Sequence, residues 1–278
     1  PIEIKGPLQP ANITVDGSLS SQFLTGLLMA YAATEVYDTE IKVTDLKSKP
    51  YIDLTLSVLN AFGWNVKHTN YESFKFYSHT PLKPLIEYTV EGDWSGAANH
   101  IVGAAISGEI TIDGLQVNSK QADKAILTAL KDFGAIVEWQ RATLHIKQNH
   151  QLPFFFDASD SPDLFPPLAV LACAAIGTSE IKGLHRLTNK ESNRQNSCVS
   201  MLEALGVSYT IQDDSIFING TGSLNGGKIA TFNDHRIAMA GAIAAAISQK
   251  EITIENINCV EKSYPDFFKD LEKATVSF

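Results

Sequence analysis

The sequence predicts an α/β protein built from repeated βαβαββ units, four of them in 278 residues. Three sets of landmarks, all in one register, carry that prediction. β-rich stretches follow alanine-rich ones at Glu40-Ile41-Lys42-Val43, Glu109-Ile110-Thr111-Ile112, Glu180-Ile181-Lys182 and Glu251-Ile252-Thr253-Ile254, with the isoleucines 69, 71 and 71 residues apart. The glycines of Phe62-Gly63, Phe133-Gly134 and Leu205-Gly206 fall 71 and 72 apart. Polar turns open the long apolar stretches at Asp16-Gly17-Ser18, Gly92-Asp93-Trp94-Ser95, Asp157-Ala158-Ser159-Asp160 and Phe232-Asn233-Asp234. A period of about seventy residues exceeds that of the common solenoids and suits a small α/β module.

Each unit is expected to run in the same order. A short strand leads into a turn of N-cap residues, and the turn into an alanine-rich helix, near 20–33, 95–107, 163–176 and 235–248. These helices are apolar nearly all round, as in Ala238-Met239-Ala240-Gly241-Ala242-Ile243, which is the pattern of a buried helix. Core packing accounts for such residues without a cofactor. A β-branched strand comes next, then a second helix in which Ile52, Leu56 and Leu59, or Ile126, Leu127 and Leu130, recur at helical spacing. Gly63, Gly134 and Gly206 end that helix in the left-handed conformation. Two short strands close the unit, expected at 136–138 with 144–147 and at 208–211 with 216–218. The fourth unit stops after its second helix. Its sheet should therefore carry an open edge, or be covered by residues 1–8 or by a neighbouring molecule.

Composition narrows the function. Hydrophobic content of 44% and charged content of 19% are those of a globular chain. The longest apolar run, residues 237–247, is shorter than the 18 or so residues of a membrane span. Three cysteines without a C-x-x-C pair argue against a disulfide framework or a cysteine-rich zinc site, and no secretory leader is evident. A cytoplasmic protein is expected. A net charge of −9 argues against broad binding to nucleic acid or to an anionic membrane. A small anion remains possible where cations are local. No Gly-x-Gly-x-x-Gly or Gly-Lys-Ser/Thr loop is present, and neither a metal nor an organic cofactor is expected.

The polar groups at the helix starts are the candidates for chemistry. Ser20-Ser21-Gln22 opens the first helix, where free N–H groups and the positive dipole end favour an anion, although a simple serine cap needs only one of the three. Asp163 opens the third long helix after Pro162, a position that the dipole alone would favour. Lys190-Glu191-Ser192-Asn193-Arg194 would be ordinary on a solvated surface. However, two of the four arginines, Arg186 and Arg194, lie within nine residues here, and a third, Arg236, precedes the most apolar helix. Lys190, Arg194, Arg236 and Lys262 occupy equivalent loops of related modules. Together they could form one phosphate- and carboxylate-binding site.

These motifs resemble the enolpyruvyl transferase family, in the branch that acts on shikimate 3-phosphate. The resembling stretches are Asp16-Gly17-Ser18-Leu19-Ser20-Ser21-Gln22-Phe23-Leu24, Ser48-Lys49-Pro50-Tyr51-Ile52, Val90-Glu91-Gly92-Asp93, Lys190-Glu191-Ser192-Asn193-Arg194, Asn233-Asp234-His235-Arg236-Ile237-Ala238-Met239 and Lys262-Ser263-Tyr264-Pro265-Asp266-Phe267-Phe268. They occur in family order along the whole chain. The sister branch, acting on UDP-N-acetylglucosamine, looks different at Ser-Ser-Gln and Asn-Asp-His-Arg.

The resemblance implies six units in two pseudo-threefold lobes, with the substrates between them. Residues 1–90 would be the last unit of one lobe and 91–278 the three-unit second lobe. The family's first two units are not matched, so the chain looks like a fragment, expected to be inactive alone, of an enzyme expected to be monomeric in full-length form. It also implies transfer of the enolpyruvyl group of phosphoenolpyruvate to the 5-hydroxyl of shikimate 3-phosphate. Matched one by one, Ser20, Ser21, Gln22, Ser48, Tyr51 and Lys190 would hold shikimate 3-phosphate. Asp163 would bind its ring hydroxyls and act as base, with Glu191 as proton-transfer partner. Arg194, Arg236 and Lys262, helped by Gln22, would hold phosphoenolpyruvate. Asn193 departs from the family's usual Asp, removing a charge beside Arg194. The alternatives are the sister transferase and a non-catalytic ligand-binding module, separable by the acceptor used and by activity.

Overall fold

The computed structural model describes residue 3 and residues 5–34, 37–78, 85–188 and 190–275. It divides into two compact units, Pro1–Val90 with Lys120–Ala122, and Glu91–Ser119 with Asp123–Phe278.

In the first, β1 (Ile13–Asp16) leads to α1 (Ser21–Ala33), β2 (Glu40–Thr44) to α2 (Lys49–Ala61), and the hairpin β3 (Asn65–Thr69) and β4 (Ser73–Tyr77) closes the unit. β1 and β2 are parallel, with Ile13 opposite Ile41 and Val15 opposite Val43, and β4 lies antiparallel between β2 and β3. The strand order is β1-β2-β4-β3. Alternation puts Ile41, Val43, Phe74 and Phe76 on the covered face, against Leu24, Leu28 and Tyr31 of α1 and Ile52 and Leu59 of α2. Each such side chain stabilises the unit by about 1.5–3 kcal/mol relative to exposure.

The second unit repeats this plan. Its first module has α3 (Trp94–Ser107), β5 (Glu109–Ile112), α4 (Ile126–Phe133), β6 (Ile136–Gln140) and β7 (Thr143–Lys147), in strand order β5-β7-β6. The next has β8 (Phe155–Asp157), α5 (Phe165–Ala174), β9 (Ile176–Lys182), α6 (Arg194–Ala204), β10 (Ser208–Gln212) and β11 (Ser215–Thr221), in the same order as the first unit, β8-β9-β11-β10. The last has β12 (Gly227–Ile229), α7 (His235–Ala244), β13 (Ile252–Ile254) and α8 (Phe267–Thr275), with β12 parallel to β13. The alanine-rich helices α3, α5 and α7 pack on one another in pairs. Small side chains permit that close approach, and every residue of α5 is buried.

Three expectations need correction. Residues 85–93 form no strand, so among the described residues the module that starts at α3 has no leading strand; one tie there is Gly92 N–H to Gly114 O at 2.8 Å. Leu85 and Val90 are 73% and 82% exposed, and without apolar side chains turned inward nothing fixes a ladder register. The third long helix begins as a 3-10 turn at Pro162–Leu164 and ends at Ala174, and α7 gives way to another such turn at Ala245–Ile247. α1 is not buried all round: Phe23 and Met29 stand 62% and 46% exposed, because its unit has only one alanine-rich helix, which covers one face with its own sheet and α2. For the last module, β13 has β12 as its one strand neighbour among the described residues. Of residues 1–8, positions 1, 2 and 4 lie outside the described residues and the others carry no strand.

Parallel pairing matters for the site because it sets successive helix starts side by side at the carboxyl ends of the strands. In the first unit Gly17 N–H bonds Thr44 O at 2.8 Å, and Lys47 N–H bonds Gly17 O at 3.2 Å. A Cβ on Gly17 would come 2.9 Å from Leu46 Cα, so only glycine lets the two connections touch. In the β8–β9 pair the glycine is on the other connection: Gly183, at φ +111°, leaves room for Ser159 N, which a Cβ would meet at 2.9 Å.

Candidate active site

In the second unit the starts of α3, α5, α6 and α7 supply polar groups to one cluster. At α7, Asp234 has extended backbone and caps the helix, its Oδ1 accepting from Arg236 N–H at 3.0 Å. Its side chain is wholly buried, as is that of Arg194 at the first position of α6, whose Nε donates to Asp234 Oδ2 at 2.9 Å. Asn193 caps α6 by accepting from Asn196 N–H at 3.2 Å. The Asn for Asp exchange thus falls on a helix cap, and the carboxylates around Arg194 come from elsewhere.

Those carboxylates are Asp234, Glu191, which accepts from Arg194 Nη2, and Asp163, which accepts from Arg194 Nη1 at 2.6 Å. Asp163 also accepts from Arg236 Nη2 at 3.1 Å and lies 3.5 Å from Lys190 Nζ. Arg236 Nη1 donates to Ser95 Oγ near the start of α3. Lys262 is one step outside, donating to the carbonyl of Asn233 at 2.8 Å.

The electrostatics follow. Burial favours the neutral acid of Asp163, but Arg236, Lys190 and Arg194 outweigh it and hold the carboxyl well below its ordinary range. Burial likewise opposes charge on Arg194, and Asp163, Asp234 and Glu191 overcome it, so the guanidinium is held above its ordinary value. Asp234 is lowered in the same way by Arg194, against burial. His235, 3% exposed and with neither ring nitrogen hydrogen-bonded, is lowered by burial first and by Arg236 second, which keeps it neutral. Among the described residues no group of three or more His, Cys, Asp or Glu side chains is arranged to hold a metal ion.

Ser20, Ser21, Gln22, Ser48 and Tyr51 belong to the first unit. Ser20 has extended backbone and caps α1 by accepting from Gln22 N–H at 3.2 Å; Gln22 is exposed and Ser21 buried. Ser48, left-handed at φ 51° with its side chain buried, precedes α2, and Tyr51 lies in its first turn. A hydrogen bond of 3.0 Å between the Thr25 and Thr55 hydroxyls ties α1 to α2. These five residues thus occupy the starts of two adjacent helices, and Asp163, Lys190, Glu191, Arg194 and Arg236 meet in the second unit.

The sequence marks Asp234 only as part of the turn before an apolar helix, and it assigns Ser95 and Ser192 no place in the site. Asp234 had a usable signal, since an Asp immediately before an apolar helix is a capping residue. Ser95 had none, because its partner is 141 positions away.

The fold is similar to that of the enolpyruvyl transferase NikO from Streptomyces tendae (TM-score 0.70, 18% identity, 94% of this chain and 63% of that one). EPSP synthase from Acinetobacter baumannii matches with a TM-score of 0.77 at 27% identity, over 98% of this chain and 64% of that one. A family model described as EPSP synthase (3-phosphoshikimate 1-carboxyvinyltransferase) matches residues 1–271, and the chain belongs to that family. Curated relatives named 3-phosphoshikimate 1-carboxyvinyltransferase include those of Clostridium novyi, 36% identical over 98% of this chain and 62% of the relative, and Methanocaldococcus jannaschii, 39% identical over 96% and 62%. The chain thus spans less than two thirds of the length of these relatives.

Proposed function

We propose that the protein carrying this chain transfers the enolpyruvyl group of phosphoenolpyruvate to the 5-hydroxyl of shikimate 3-phosphate and releases phosphate, in the cytoplasm and without a cofactor. In this reading residues 1–90 are one unit of an incomplete lobe and 91–278 a lobe of three. The observation that carries the reading is Asp163, one carboxylate shared by Lys190, Arg194 and Arg236. It marks a place where three cations accept an anion, as a substrate with both carboxylate and phosphate requires.

The chemistry divides into two proton transfers. In addition, the 5-hydroxyl gives its proton to Asp163 as its oxygen bonds to C2 of phosphoenolpyruvate, while Glu191 supplies a proton to the methylene carbon. In elimination the methyl group returns a proton to Glu191, the C–O bond to phosphate breaks as Asp163 passes its proton to the departing phosphate oxygen, and the enol ether forms. Arg194, Arg236 and Lys262 hold phosphoenolpyruvate. Ser20, Ser21, Gln22, Ser48, Tyr51 and Lys190 hold the phosphorylated acceptor. While Asp163 is bridged to three cations it is a poor base. A bound phosphoenolpyruvate competes for Arg194 and Arg236, and as it takes them over the affinity of Asp163 for a proton rises. Substrate binding and base activation are then one event.

Calorimetric titration of this chain with phosphoenolpyruvate and with shikimate 3-phosphate tests the reading. Saturable binding of both is expected, with Arg236→Ala weakening the first and Gln22→Ala the second. Turnover of the protein carrying the chain with UDP-N-acetylglucosamine in place of shikimate 3-phosphate would overturn it.

A further inference from the structure

Arg194 presents two usable edges, and Asp234 decides between them. We infer that Asp234 is the positioning residue of the two-arginine clamp, one carboxylate fixing Arg194 through its side chain and Arg236 through its backbone. Asp234 Oδ2 accepts from Arg194 Nε at 2.9 Å and from Ser192 Oγ at 3.1 Å. Oδ1 accepts from Arg236 N–H at 3.0 Å and, more distantly, from Arg194 Nη2 at 3.4 Å. A carboxylate has about four lone-pair sites, so these donors saturate it. With no exposed surface and no acceptor capacity left, Asp234 has nothing to offer a substrate and is not a base.

What it does is orient. By closing the Nε edge of Arg194 it turns the outer edge, Nη1 and Nη2, toward Asp163 and Glu191. That edge is the one a carboxylate or phosphate can engage in parallel hydrogen bonds. The same carboxylate fixes the start of α7, from which Arg236 reaches Asp163 and Ser95. Asp163 and Glu191, 22% and 37% exposed at their side chains, can be displaced by a ligand; Asp234 cannot. The assignment to phosphoenolpyruvate rests on the function proposed above, whereas the fixing of Arg194 does not.

The test is run on this chain with two readouts. Arginine Nε–H exchange with water, measured by NMR and assigned through Arg194→Lys, is expected to be far slower for Arg194 than for exposed Arg141. Asp234→Asn keeps an oxygen to cap α7 but loses the charge, and it should abolish that protection while Asp163→Asn leaves it in place. Calorimetric affinity for phosphoenolpyruvate should fall roughly ten- to a hundredfold in Asp234→Asn, the range for losing a charged hydrogen bond. Unchanged protection and unchanged affinity in Asp234→Asn would overturn the inference. If that variant does not fold, Asp234→Ser replaces it, and the wild-type chain alone still decides: an Arg194 Nε–H exchanging as fast as that of Arg141 overturns it. A protected Nε–H in a chain that binds no phosphoenolpyruvate supports the fixing of Arg194 and counts against the functional reading.

Discussion

The helix starts of the two units are built from opposite materials. In the first unit, Ser20 and Gln22 sit exposed at the start of α1 and contribute neutral donors, with no ionic partner to give up. In the second, Asp163, Lys190, Glu191, Arg194 and Arg236 are paired with one another, and the arginine at the centre is fully buried. A site of the first kind takes an anion by replacing water. One of the second kind takes an anion only by exchanging a carboxylate for it. The charges of the second cluster are thus satisfied within it before any ligand arrives.

The sharpest break of that comparison is Arg194→Ala. It leaves the buried Asp234 and the half-exposed Glu191 without their cation, while Asp163 keeps Lys190 and Arg236, and it should destabilise the second unit by about 3–5 kcal/mol, read from urea unfolding. Gln22→Ala in the first unit should change stability by less than about 0.5 kcal/mol, as for an exposed helix-start residue. A loss of similar size in both would erase the distinction. Next in size, Gln22→Ala should weaken shikimate 3-phosphate about tenfold by calorimetry, the loss of one hydrogen bond to a charged group.

Acid should separate the regions too. His100 and His235 are held below their ordinary value of 6.5, chiefly by burial, and both lie in the second unit. The folded state then binds fewer protons than the unfolded chain, so their contribution is full above that value and is lost as pH falls below it. Asp163 and Asp234 are depressed from 3.8, and what they contribute is present above that value and lost as pH falls further. Thermal melts from pH 7 to 5 should show the second unit weakening, and His235→Gln should flatten the slope. The smallest effect is on thiols. Burial pushes Cys173 and Cys198 up to about 12, so Ellman's reagent at pH 8 should leave both unmodified until the chain unfolds.

Much of this architecture was legible in the sequence because repetition makes each element testify for the others. The isoleucines of β2, β5, β9 and β13 and the glycines after α2, α4 and α6 are local signals, each set by burial or by a left-handed cap. The missing strand at residues 85–93 was not legible, because its polar turn was intact and only its lack of inward-facing side chains differed. At the site, residue types at helix starts were visible, and so was the concentration of arginines. Which carboxylate meets which cation was not, since Asp234 and Arg194 are 40 positions apart and meet only through the packing of α6 and α7.

If Asp163 occupies the place of the substrate's anion, affinity for phosphoenolpyruvate in Asp163→Asn reads it out. The substitution removes the competing charge and leaves Lys190, Arg194 and Arg236 in place. The expected result is binding as tight as or tighter than in the unaltered chain, while the protein carrying it loses roughly 100- to 10,000-fold in turnover, the range for a lost general base. Binding weakened as far as in Arg236→Ala would show that Asp163 does not stand in for that anion.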